Sequence, residues 1–237
     1  LNYEIFESVI CPKKRLTYTI VAEIIEKESP EAINANHSLV PSLRLMNNLA
    51  KILTKKRTEE GCLNFDFPES KVILDKNNKP IKILKINRNQ AHIIIEEFML
   101  LANETVAKHL AKFNMPFLYR IHPVPSIKDL QDFSTVIKSY GYKLRIDKEI
   151  HPKELQNILK LAKGKPEEAL INTSMLRALK LAIYSPVNMG HFGLAKKFYT
   201  HFTSPIRRYP DLLVHMALRY LMKGELDKIH KLRKFLK

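Results

Sequence analysis

The stretch KVILDKNNKPIKILKI, Lys71 to Ile86, runs straight into NRNQAHIIIEEFMLLANETVAKHLAKF, Asn87 to Phe113, and its period changes at the junction. KVILD and PIKILKI are short runs of β-branched and apolar residues separated by Lys76-Asn77-Asn78-Lys79, so the spacing predicts an antiparallel hairpin. From Asn87 on, Ile93, Ile94, Ile95, Phe98, Met99, Leu100, Leu101, Val106 and Leu110 occupy almost every side of a helix. A helix that is apolar all round belongs in the centre of a domain. A hairpin followed by a buried helix predicts an α+β chain, helix-rich with short antiparallel strands.

Working outward, LNFDF (Leu63 to Phe67) reads as a further short β-type run. Residues 15–27 read as a helix capped by Thr17 or Thr19, with Ile20, Val21, Ile24 and Ile25 on one side. A longer helix is expected from about Ser38 to Glu60, where Leu39, Leu43, Met46, Ala50 and Leu53 recur at helical spacing and Gly61 follows as a stop. On the other side, Phe117 to Ile121 reads as a strand. Ser126 with Asp129 forms a capping box for a helix ending near Gly141. Further helices are expected from Pro152 to Gly164 and from about Glu167 to Tyr184, the latter stopped by Ser185-Pro186. Gly190 to His201 reads as extended. No repeat, low-complexity tract or linker divides the chain, so 1–237 is expected to be one mixed domain.

The last motif is HFTSPIRRYPDLLVH, His201 to His215. Thr203 and Ser204 are N-cap types and Pro205 suits a first helical turn, so a helix running to Gly224 is expected to carry Arg207 and Arg208 in its first turn. Free backbone N–H groups and the helix dipole favour an anion there, and an arginine fork adds bidentate bonds to phosphate oxygens. The alternative is a local ion pair between Arg208 and Asp211, three residues on, with Arg207 merely solvated. Spacing alone leaves both readings open.

With 237 residues and 45% hydrophobic content, the chain can build one large core or two small ones. No run approaches the length of a membrane span, and LNYEIFESV has neither the basic start nor the apolar core of an export signal, so a soluble, cytoplasmic protein is expected. Cys11 and Cys62, without CxxC spacing, point to reduced thiols rather than a disulfide framework or a zinc site. Lys and Arg number 40 against 24 Asp and Glu, a formal charge of 40 − 24 = +16. From Arg207 onward, nine basic residues face three acidic ones. Such an excess fits a polyanionic partner, but lysine-rich composition also serves solubility.

HFTSPIRRYPDLLVH resembles the hallmark segment of the ribonuclease II and ribonuclease R family, the RNB-domain exoribonucleases. RLTYT (Arg15 to Thr19), LNFDFPESK (Leu63 to Lys71), IEEFMLLANETVA (Ile95 to Ala107), YRIHPVPS (Tyr119 to Ser126) and GHFGLA (Gly190 to Ala195) resemble further family motifs in the family's order, most like its ribonuclease R branch. The resemblance implies the RNB catalytic fold and 3′-to-5′ hydrolysis of single-stranded RNA to nucleoside 5′-monophosphates. It implies that Arg207 stabilises the scissile phosphate, with Arg208 and Tyr209 beside it as RNA-binding residues. Tyr18 and Phe65 are implied to stack on the two faces of the 3′-terminal base, and Glu96 to lie near the terminal ribose. Each role suits its chemistry. A fixed cation lowers the barrier where negative charge develops, aromatic stacking holds a base without reading sequence, and a carboxylate can accept from the 2′-OH.

On residue type alone, Tyr18 and Phe65 read as core aromatics, and Glu96 and Glu97 as one solvated and one paired carboxylate. His122, His191, His201 and His215 match no metal-ligand spacing and read as structural or supporting groups. Asp211 reads as an orienting partner for Arg208. Where the family pattern continues as His-Arg, this chain has His215-Met216, one cation fewer.

Phosphodiester hydrolysis commonly uses clustered carboxylates to hold Mg²⁺. The family's aspartate cluster has no counterpart between Leu1 and Lys237, and the chain begins with leucine. The expectation is therefore the C-terminal part of an RNB domain, with no metal ligands of its own. The Mg²⁺ site would lie in an upstream segment, and its flanking cold-shock and OB-type domains would lie elsewhere. The expected partners are single-stranded RNA and the rest of that protein. A catalytically inactive RNA-binding module and a basic interaction domain without RNA are the competing readings.

Overall fold

The hairpin forms where the period-2 runs place it. In the computed structural model, which describes residues 2–65, 69–86, 88–146 and 150–236, β1 (Glu69–Leu74) pairs antiparallel with β2 (Pro80–Ile86), Val72 opposite Ile83. Asp75 drives the turn: its Oδ1 accepts from the backbone N–H of Asn77 (2.7 Å) and Lys79 (2.8 Å), and Asn78 takes the left-handed conformation at φ 59° that asparagine tolerates.

Among the described residues, three helices precede the hairpin. α1 (Tyr18–Ile25) is capped by Thr17, whose side chain accepts from Ile20 N. α2 (Pro30–Ala35) was not expected, although Ser29 as cap and Pro30 as first helical residue are its signature. α3 spans Val40–Glu60. After the hairpin comes α4 (Gln90–Lys112), the helix that its all-round apolar pattern predicts, with most residues partly or fully buried and only Ile95, Lys108 and Lys112 exposed.

β3 (Tyr119–Ile121) leads to α5 (Ile127–Lys138), capped by Ser126, then to α6 (Pro152–Ala162) and α7 (Glu168–Ala178). The helix expected to reach Tyr184 ends six residues earlier. Leu179 is extended, and β4 (Ile183–Ser185) pairs antiparallel with β3, Ile183 opposite Ile121. Pro186 also biases Ser185 towards extended backbone. A single 3-10 turn, Phe192–Leu194, interrupts the segment expected to be extended, with Ala195 left-handed behind it. LNFDF is not a strand at Leu63, Asn64 or Phe65, and its Asp66 and Phe67 lie outside the described residues.

The arginine helix, α8 (Tyr209–Lys223), starts later than expected. Arg208 is its N-cap, and Pro210, not Pro205, sits in its first turn. Thr203 and Ser204 therefore cap nothing, and Arg207 and Arg208 precede the helix. Their backbone N–H groups both donate to Ser204 O, closing a turn ahead of α8. α9 (Leu226–Phe235) follows, and the chain is the α+β, helix-rich fold expected from its sequence.

The chain divides into two compact units, with the division falling within α3 and α4. The first comprises Leu1–Ser8, Lys55–Leu63 and Met99–Lys237. One part of its core joins Val106 and Leu110 of α4, Phe117, Leu213 and Val214 of α8, and Leu232 of α9. Buried Cys62 lies in the same unit, its Sγ accepting from Arg57 Nη1 (3.0 Å) and its carbonyl from Gln156 Nε2 (2.8 Å). The second unit, Val9–Thr54 and Asn64–Phe98, packs Ile24 of α1 against Val40 and Leu43 of α3. Neither cysteine is in a disulfide among the described residues, Cys11 being exposed and Cys62 buried.

Candidate nucleic-acid interface

In the first unit, α8 is held by burial of Leu213, Val214, Ala217 and Leu218, which fixes where its N-terminus points. On the same buried side is Asp211, 0% exposed. Its Oδ1 accepts from Ser204 N (2.8 Å) and from Arg208 Nη2 (2.7 Å). The local ion pair is therefore present, with the arginine side chain 20% exposed. Asp211 Oδ2, Arg208 Nε and Thr203 Oγ1 are buried and bond to no protein group, so the pair closes one leg of a possible bidentate fork. Removing one member of a buried pair costs about 3–5 kcal/mol, because it strands the other charge. Arg207 and Tyr209 are exposed, and Arg207 forms no ion pair among the described residues.

The segment leading into this turn is tied to α4 by one side chain. Asn103 donates from Nδ2 to Tyr199 OH (3.1 Å) and accepts at Oδ1 from Phe202 N (2.9 Å). Thr200 Oγ1 donates to Leu118 O (2.6 Å), and His215 donates from Nε2 to Phe202 O (3.0 Å) while stacking on the Phe202 ring. Lys196 reaches Glu60 of α3 (2.6 Å) and Glu104 of α4 (2.8 Å). Burial alone would raise the Glu104 carboxyl, but hydrogen bonds from Lys108 and Lys196 outweigh it and hold it below the ordinary range.

Around the β3–β4 ladder runs a file of rings, His122, His191, Tyr199, His201 and Tyr184, each meeting the next edge to face at centroid distances of 5.1 to 5.9 Å. His122 Nε2 is 2.7 Å from Lys180 O and must donate there, so its bare Nδ1 accepts from Gly193 N (2.8 Å). His191 Nδ1 accepts from Leu194 N, and His201 Nδ1 is 2.7 Å from Tyr184 OH. Arg120 lies over the Tyr184 ring at 4.7 Å. Burial, with the charges of His122 and Arg120, depresses His191 to about 3. Burial, with Arg208 and Arg120, depresses His201 to about 4. Both imidazoles are neutral at pH 7, bonded within the protein rather than exposed as acids or bases.

In the second unit, Tyr18 opens α1 with its ring half exposed and stacked on His92 of α4 at 4.0 Å. His92 is itself held by Asn89. Tyr18 is thus neither a core aromatic nor a lone ring. Phe65 is half-buried. Glu96 pairs with Arg88 at the surface, whereas Glu97 is buried and accepts from Thr54 Oγ1 (3.0 Å). Arg207, Arg208 and Tyr209 belong to the first unit, and Tyr18, Phe65 and Glu96 to the second.

No three His, Cys, Asp or Glu side chains gather to hold a metal among the described residues. Asp211, the carboxylate nearest the arginine pair in sequence, has one oxygen committed to Ser204 N and Arg208. These residues do not fit a Mg²⁺ site. No helix among the described residues is long and apolar enough to cross a membrane.

A family model described as the RNB domain matches residues 1–224. The chain belongs to the RNB-domain family. Ribonuclease R of Aquifex aeolicus is 45% identical over 223 residues, covering 94% of this chain and 32% of that protein. Ribonuclease R of Escherichia coli K12 is 39% identical over 224 residues, 94% of this chain and 27% of that protein. The structure of Mycoplasma genitalium ribonuclease R in complex with ribose-methylated single-stranded RNA superposes with a TM-score of 0.87 at 29% identity, over 93% of this chain and 35% of that one. The chain thus spans about a third of the length of the relatives it matches.

Within this RNB chain, the motifs that carried the resemblance also hold groups that sequence reading passed over. Asn103 is the one amide within the apolar IEEFMLLANETVA. Arg120 lies in YRIHPVPS, two residues before the His122 already read as a supporting group, and Gly193, against which His122 packs, lies in GHFGLA. A buried polar residue inside an apolar run was the available signal for Asn103. Nothing local pointed to His92 beneath Tyr18.

Proposed function

We propose that this chain is part of a cytoplasmic, Mg²⁺-dependent, processive 3′-to-5′ exoribonuclease that hydrolyses single-stranded RNA to nucleoside 5′-monophosphates. The observation that carries this reading is the turn ahead of α8 in an RNB-family chain, which presents Arg207 to solvent while its neighbour is bound to a buried carboxylate. Arg207 meets the scissile phosphate, with Arg208 and Tyr209 flanking it in the RNA-facing segment. Tyr18, backed by His92, and Phe65 stack on the 3′-terminal base, and Glu96 lies near its ribose. The similar ribonuclease R structures solved with single-stranded and double-stranded RNA support an RNA substrate. Mg²⁺ would be held by residues outside the described ones, and the remainder of the RNB domain and its OB-type neighbours would complete the protein.

The test uses the full-length protein with single-stranded RNA labelled uniformly at its internucleotide phosphates. Release of nucleoside 5′-monophosphates that stops on chelation is expected, and activity persisting in excess EDTA overturns the reading. Arg207→Ala should lower kcat about 10²-fold or more, the loss typical of a charge-stabilising group. RNA bound but left uncut would favour the inactive binding module.

A further inference from the structure

We propose that the two adjacent arginines divide their work: Arg207 alone contacts the RNA phosphate, and Arg208 is a positioning residue whose bond to Asp211 fixes the turn from which Arg207 projects. This rests on the exoribonuclease reading and concerns how its phosphate contact is built.

Four hydrogen bonds build the turn, and three of them form a closed circuit through Ser204, Arg208 and Asp211. Asp211 Oδ1 holds Ser204 by its backbone N–H, Ser204 O holds the N–H groups of Arg207 and Arg208, and the Arg208 guanidinium returns to Asp211. The turn therefore has no independent freedom relative to the helix that carries Asp211. That helix is anchored in the core by Leu213 and Val214.

Burial separates the two arginines. Asp211 is fully enclosed, and Arg208 Nε is buried beside it. An arginine that moved from this carboxylate to a phosphate would leave a buried anion without its counter-ion. Arg207, exposed and in no ion pair among the described residues, moves at no such cost. Adjacent, chemically identical side chains thus differ in whether their charge is available.

The division is tested in the full-length protein by kinetics and by the salt dependence of single-stranded RNA binding. Arg207→Ala should lower kcat and flatten the plot of log affinity against log salt by about 0.7, the value of one single-strand phosphate contact. Arg207→Lys should not recover the loss, because an ammonium lacks the planar fork. Arg208→Ala should lower kcat tenfold or more through the released turn but leave the salt slope unchanged. Arg208→Lys should recover most of that loss by restoring the charge opposite Asp211. If Arg208→Ala does not fold, Arg208→Lys decides alone: it is expected to lose severalfold less than Arg207→Lys.

A salt slope that falls equally for both arginines, or an Arg208→Lys variant as impaired as Arg207→Lys, overturns the division. Arg207 variants that match wild type in both measurements overturn instead the phosphate-contact reading beneath it.

Discussion

A methyl group at Gly193 would sit 2.7 Å from His122 Nδ1 and 3.0 Å from Cε1, closer than real Cβ contacts come. The imidazole cannot yield freely, because Nε2 is bonded to Lys180 O and Nδ1 to the Gly193 N–H itself. Gly193→Ala is therefore expected to destabilise the protein by about 1–3 kcal/mol, the usual range for overpacking a filled site. Urea denaturation checks this, and a midpoint equal to wild type contradicts the contact. The Arg208–Asp211 pair was legible in the sequence, since residues three apart at a helix start face one another. The bond from Ser204 N to the same carboxylate, which closes the turn ahead of α8, was not, because it depends on how α8 is buried.

At the scale of elements, the caps were the most readable features. Thr17 and Ser126 each accept from the N–H three residues on, as their spacing predicts. Two errors have physical causes. Pro205 and Pro210 both qualify as first-turn prolines, and the bond between Ser204 N and Asp211 selects the later one. The run after Ala178 is apolar enough for a helix, but pairing of Ile183 with Ile121 claims it for a strand.

The file of rings crosses this ladder and gives stability a pH dependence. His191 and His201 titrate near 3 and 4 when folded, against an ordinary value of 6.5. Between pH 6.5 and about 4 the unfolded chain binds protons that the folded one refuses, so stability is full above 6.5 and declines as pH falls through that window. Glu104, whose folded value is depressed, contributes its own loss only below its ordinary 4.5. Urea midpoints should therefore fall between pH 6.5 and 4.5, with a shallower slope in His201→Gln. A flat profile there contradicts neutral buried imidazoles.

At the scale of the whole molecule, a formal charge of +16 makes RNA affinity a function of ionic strength. Binding of single-stranded RNA by the 237-residue chain is expected to weaken tenfold or more from 50 to 200 mM salt, as several phosphate contacts imply, and fluorescence anisotropy measures it. Salt-independent affinity would show that the basic surface does not meet the phosphates. The two cysteines allow another reading of the same molecule. Cys11 is exposed, whereas Cys62 is enclosed beneath the Arg57 guanidinium and the Gln156 amide. In a thiol-reactive reagent, one equivalent should be consumed at once and the second only as fast as the segment around Cys62 opens. The slow phase is a clock for local unfolding that needs no introduced label, and a destabilising change such as Gly193→Ala should make it run faster.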